Sequence, residues 1–171
     1  MFNEIQVTDI YSMKAATLHE IKNELEQCTS KELVSYCLRL TKFKKENKEL
    51  FTYILFEEKF PDNFLENFEK EIDQFFGDIN YSSIYYVRKS VRKILRHVNK
   101  YIRFANSKLL ETEMLIHFCN KIVEFKIPLR ESTPLMNIYQ SQLRKINLTL
   151  ATLHPDLSYD LTRKLKKSEP A

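Results

Sequence analysis

One glycine in 171 residues, Gly77, is the strongest constraint on what this chain can fold into. Sheet proteins place glycine at hairpins and bulges, and phosphate-binding loops need several together, so the sequence disfavours both. What remains is a chain built from helices and short connections. The 43% hydrophobic and 29% charged content is that of a globular domain with room for a sizeable core.

Helix signals run from Thr17 onward. Thr17 with Glu20, and Thr29 with Glu32, have the spacing of capping boxes that start two helices in succession. The second places Leu33, Tyr36, Cys37, Leu40 and Phe43 on one face. A break near Asn47 leads to a third helix that ends before Pro61. Asp62 or Asn63 is expected to cap a fourth, with Phe64, Phe68, Ile72, Phe75 and Phe76 as its apolar stripe and Gly77 as its terminating residue.

Ser82 or Ser83 then opens a long basic helix, residues 83–105. The sixth, 108–125, is apolar nearly all round except for a strip bearing Glu113, His117 and Asn120, a pattern that places a helix at the centre of its neighbours. Pro128 closes it. Thr133 and Pro134 open a seventh, with Leu135, Tyr139, Leu143, Ile146, Leu150 and Leu153 at helical spacing, and a short last helix follows Pro155.

No comparable segment alternates with period two, so no sheet is expected. The sequence predicts an all-α fold of about seven or eight helices in successive antiparallel hairpins, an irregular α-solenoid-like array or a helical bundle. Residues 1–16 read as an N-terminal segment, 17–166 as a single helical domain and 167–171 as a polar tail. In the first of these, Phe2, Ile5, Val7, Ile10 and Tyr11 could pack on the domain or on a second copy.

The chemistry is defined largely by what is missing. Cys28, Cys37 and Cys119 are odd in number and lack C-x-x-C spacing, which suits free thiols in a reducing compartment better than a disulfide framework or a zinc site. His117 and Cys119, two apart on a helix, point to different faces; Glu113 and His117 share a face but identify no further metal ligand. His97 reads as a packing residue, and His19 and His154 as helix-end residues. No G-x-S-x-G or positioned Cys–His pair is present. The sequence therefore reads as a non-enzyme without metal or cofactor. It shows no basic start followed by an apolar run, and no apolar run long enough for a bilayer, so a cytoplasmic protein without membrane contact is expected.

One feature asks for a function. The stretch YYVRKSVRKILRHVNKYIRF, residues 85–104, carries seven Lys or Arg and no acid. At about 100° per residue, Arg88, Lys89, Arg92, Lys93, Arg96, Lys100 and Arg103 fall within an arc of about 140°. Ile84, Val87, Val91, Ile94, Leu95, Val98, Tyr101 and Ile102 lie opposite, and Tyr85 lies on the basic side. Such a ridge can track phosphates, with Tyr85 stacking on a base.

The competing expectation is an internal charge match. Residues 57–78 carry net charge −6 and 79–110 net +8, so Glu66, Glu69 and Asp73 could face some of the arginines across a hairpin. Charge runs alone are unspecific, and pairing plus a solvated face is the leading expectation. The functional expectation is a non-enzymatic protein-interaction module for an unknown protein or acidic partner. Binding of nucleic acid or another polyanion through helix 83–105 is the alternative.

The segment HEIKNELEQCTSKELVSYCLRLTKFKKENKELFTYILF (19–56) couples an E-[IL]-K-x-E-L helix and an S-K-E-[EL]-L helix to a K-E-x-K-x-[FL] start of the next. With RKSVRKILRHVNKYIRF, ETEMLIHFC and IYQSQLRKINLTLATLHPDL, it resembles a family of small all-helical bacterial proteins of unknown function, over about residues 18–160. The resemblance implies an all-helical cytosolic domain and transfers no catalytic residue. The basic helix is more cationic than that family pattern.

Overall fold

The computed structural model describes residues 15–165, and the N-terminal Phe2, Ile5, Val7, Ile10 and Tyr11 lie outside them. Among the described residues there are eight α-helices, one π-helical turn and no strand, the all-α class expected. The helices are α1 (Leu18–Glu26), α2 (Ser30–Phe43), α3 (Lys45–Thr52), α4 (Pro61–Gly77), α5 (Ile84–Ala105), α6 (Lys108–Glu124), α7 (Thr133–Leu150) and α8 (Pro155–Lys164). The sequence reading groups 17–166 as one domain; the described residues cluster into two compact units, the first ending at Lys48 and the second starting at Glu49.

In the first unit local chemistry sets the helix starts. Thr17 and Thr29 each accept from the N3 amide while Glu20 and Glu32 return a bond to the cap, so both capping boxes form. These bonds hold both carboxyls below the usual range. Tertiary burial is absent: no residue of α1, α2 or α3 is buried. On the expected apolar face of α2, Leu33 and Cys37 are half-buried, whereas Tyr36, Leu40 and Phe43 stand exposed. The break expected near Asn47 falls at Lys44, whose extended backbone ends α2.

The second unit is organised by α6. Leu110, Met114, Leu115, Ile116, Phe118, Cys119 and Ile122 are buried, and α4, α5, α7 and α8 all pack on this helix. Burial pushes the Cys119 thiol up to about 12, so it behaves as a small apolar side chain. From α4 come Phe64, Phe68, Ile72 and Phe76, the expected stripe. Val87, Val91, Ile94 and Val98 come from α5, and Leu135, Tyr139, Ile146 and Leu150 from α7. Phe76 meets Phe118 with ring centroids 5.8 Å apart.

Several boundaries differ from the sequence reading. Helix α4 starts at Pro61 with Phe60 at its cap, not at Asp62 or Asn63, because proline suits the first turn. Gly77 remains inside α4, with φ negative and open space where a Cβ would stand, so it is no left-handed terminator. That conformation is taken by Asn106 (φ 44°) after α5 and Lys126 (φ 50°) after α6. Residues Tyr53–Glu57 form the π turn, closed by the Glu58 amide donating to the Tyr53 carbonyl at 2.9 Å, and Tyr53 is buried against Phe64. Ile84, expected on the docked face of α5, is exposed at its first turn.

This division of burial sets a contrast in stability. Phe118→Ala should cost about 3–5 kcal/mol in urea denaturation. Phe43→Ala, at a position 76% exposed, should change stability by no more than about 0.5 kcal/mol.

Candidate functional site

Helix α5 docks on its valine and isoleucine face and presents its cations on the other, so the ridge follows from burial of the core. Charge pairing decides whether those cations are free. Glu66 pairs with Lys70 of its own helix at 2.6 Å. Asp73 lies 2.7 Å from His117 Nε2 and 2.8 Å from Lys121 Nζ, both on α6. Glu69 lies 3.5 Å from His117 Nδ1. The expected match of Glu66, Glu69 and Asp73 with the arginines of α5 is therefore not made: α4 turns two of these carboxylates to the central helix and keeps the third for itself.

One acid of α4 that the sequence reading passed over does reach α5. Glu71 accepts from the Tyr101 hydroxyl at 2.7 Å and lies 3.0 Å from His97 Nε2. Burial, then this bond, pushes the Tyr101 hydroxyl well above the usual phenol range. His97 also packs edge-on against Phe75, with centroids 4.9 Å apart, the packing role expected of it. Glu71 thus spends its carboxylate on the edge of the interface rather than on the ridge.

The expected site residues sort into two groups. Arg88, Lys89, Arg92, Lys93 and Arg96 have no acidic partner among the described residues. Of these, Arg88, Lys89, Arg92 and Arg96 join Tyr85, Leu95, Asn99 and Ile138 of α7 in lining an open cleft of about 610 Å³. Lys100 leaves the ridge: its ammonium meets Glu49 at 3.1 Å and sits over the rings of Tyr101 and Phe104, at 5.2 and 5.8 Å from their centroids. Arg103, nearer the C-terminal end, does not line the cleft.

Tyr85, which also lines the cleft, is 55% exposed. Its ring contacts Tyr86 at 5.4 Å between centroids and lies 5.9 Å from the Arg88 guanidinium carbon. Beyond Arg92 and Ile138 a second hollow of about 390 Å³ continues along α7, lined also by Pro134, Asn137, Ser141 and Gln142. Sequence reasoning did not single out this far wall, because Asn137, Ser141 and Gln142 are scattered polar residues on an apolar-periodic helix. Gln142 is buried, and its Oε1 has no hydrogen-bond partner among the described residues.

The polar strip of α6 is a structural feature. Glu113 takes Lys164 at 2.7 Å, His117 takes Asp73 and Glu69, and the Asn120 amide donates to the Lys164 carbonyl at 2.8 Å. Glu113 and His117 thus engage different partners, and no metal-binding cluster occurs among the described residues. No helix among those residues is long and apolar enough to cross a membrane.

Charge changes should separate the two kinds of pairing. Arg92→Glu should leave stability within about 0.5 kcal/mol of wild type, since it breaks no ion pair and relieves like charge. Asp73→Ala should cost about 1 kcal/mol, discounted for its partial exposure, because it strips Lys121 and His117 of their shared carboxylate. Thermal or urea melts of both variants check this.

Compared with known proteins, the chain matches no family model, no curated protein and no solved structure.

Proposed function

We propose that the protein is a non-enzymatic binding module that holds a polyanion along α5. The observation that carries this reading is the run of five cations, Arg88, Lys89, Arg92, Lys93 and Arg96, without acidic partners among the described residues and beside an open cleft. Internal pairing plus a solvated face is the leading expectation from the sequence, and the carboxylates assigned to that pairing are engaged elsewhere. Uncompensated like charges on one helix face repel one another; a polyanion relieves that repulsion and releases its counterions on binding.

The interaction-module reading draws on a separate observation as well. In the first unit, Leu25, Val34, Leu38, Leu40 and Phe43 are exposed on short helices with no core. Helices of 9 and 14 residues with no buried residue are marginal in water, so a protein partner covering them would add order to this unit. Hydrogen exchange of residues 18–43 would then slow in the complex.

The direct test is a salt titration. With heparin or a labelled oligonucleotide as probe, affinity should fall linearly on a log–log plot against salt. For about three to five neutralised phosphates on a single strand the slope is roughly −2 to −3.5. A folded Arg88→Glu, Arg92→Glu, Arg96→Glu variant should bind neither probe. Wild-type protein that ignores both at low salt would reject the reading.

A further inference from the structure

Resting on the polyanion reading, we propose that the ligand is a single-stranded nucleic acid, its phosphates on the arginine rim and its bases turned into the cleft between α5 and α7. A site for charge alone needs only a cationic surface. Here the cations occupy one rim, the floor is apolar (Leu95, Ile138), and the far wall carries uncharged hydrogen-bonding groups (Asn137, Ser141, Gln142). That order of charge, apolar surface and amide matches a nucleotide from phosphate to base. Duplex bases are stacked and paired internally and cannot enter such a cleft.

Two side chains favour bases in particular. Tyr85, exposed and braced by Tyr86 and Arg88, offers a π-face at the mouth, the platform on which unpaired bases stack regardless of sequence. Gln142 is only 4% exposed; its Nε2 donates to the Ile138 carbonyl at 3.2 Å while Oε1 remains unpartnered among the described residues. A buried carbonyl without a donor is costly, and phosphate oxygens, being acceptors, cannot supply one. The amino groups of bases can, and Gln142 is among the residues lining the second hollow.

The dimensions agree. Arg88, Arg92 and Arg96 recur every fourth residue on one face and span about 12 Å of helix. Charges on one strand of a duplex recur about every 3.4 Å of axis; an extended single strand spaces them more widely, so this length meets about two or three phosphates. The two hollows share Arg92 and Ile138, so several successive bases face one continuous wall.

The experiment is a fluorescence-anisotropy comparison of a labelled ten-nucleotide single-stranded RNA and DNA with the matched duplex, with unlabelled heparin as competitor. Wild type, Tyr85→Ala, Tyr85→Phe and the triple arginine-to-glutamate variant are compared at one salt concentration. Single strands should bind at least about tenfold more tightly than duplex. Tyr85→Ala should weaken single-strand binding about fivefold or more while leaving heparin affinity unchanged, and Tyr85→Phe should retain it. Equal affinity for single strand, duplex and heparin, insensitive to Tyr85 but lost in the triple variant, would overturn the single-strand assignment and leave the polyanion reading standing. Absence of binding to all three probes would overturn both.

Discussion

The second unit depends on desolvating α6 on nearly every side. A helix carrying Met114, Leu115, Ile116, Phe118, Cys119 and Ile122 at under 4% exposure has to be surrounded, and four other helices do the surrounding. Each lends one apolar face, at about 25 cal/mol for every Å² of apolar surface removed from water. Their outward faces are then free to carry other chemistry. The cationic ridge of α5 is the outward face of a helix whose inward valines and isoleucines serve the core.

The same centre controls the charges. The polar strip of α6 admits His117 and Lys121 at the border with α4, and these take Asp73, with Glu69 close by. Because α4 settles its acids there, α5 keeps five cations that meet no acid among the described residues. Individually, ion pairs of such partial exposure contribute only ~0–1 kcal/mol. Their larger effect lies in the partition: which acid meets which base determines which surface remains electropositive. Lys100 shows the other fate, drawn off the ridge by Glu49 and two aromatic faces.

Much of this fold is legible in the sequence because its signals are local or periodic. The capping boxes at Thr17 and Thr29, the stripe of α4, the two faces of α5 and the all-round apolar α6 all follow from spacing. What escaped was decided by contacts between elements. Nothing in the order of residues says that Asp73 meets Lys121 rather than an arginine, or that Glu71 bridges His97 and Tyr101. Gln142 falls outside the apolar repeat read for α7, yet it is buried on the same side of the helix as Tyr139 and Ile146. The amphipathic pattern of α2 predicts a covered face, whereas Leu40 and Phe43 are bare, because periodicity shows which side is apolar and not whether anything packs there. For the cleft, the arginine rim was visible in advance and the α7 wall was not.

The sharpest check on this picture is a map of the ligand contacts by amide NMR, with the ¹⁵N-labelled protein titrated with a short single-stranded oligonucleotide. Perturbations should concentrate at residues 85–99 of α5 and 134–142 of α7, with the α4–α6 border around Asp73 and His117 unmoved. Shifts confined to α1 and α2, or spread evenly over every exposed lysine, would contradict a polyanion site built on the outward face of α5.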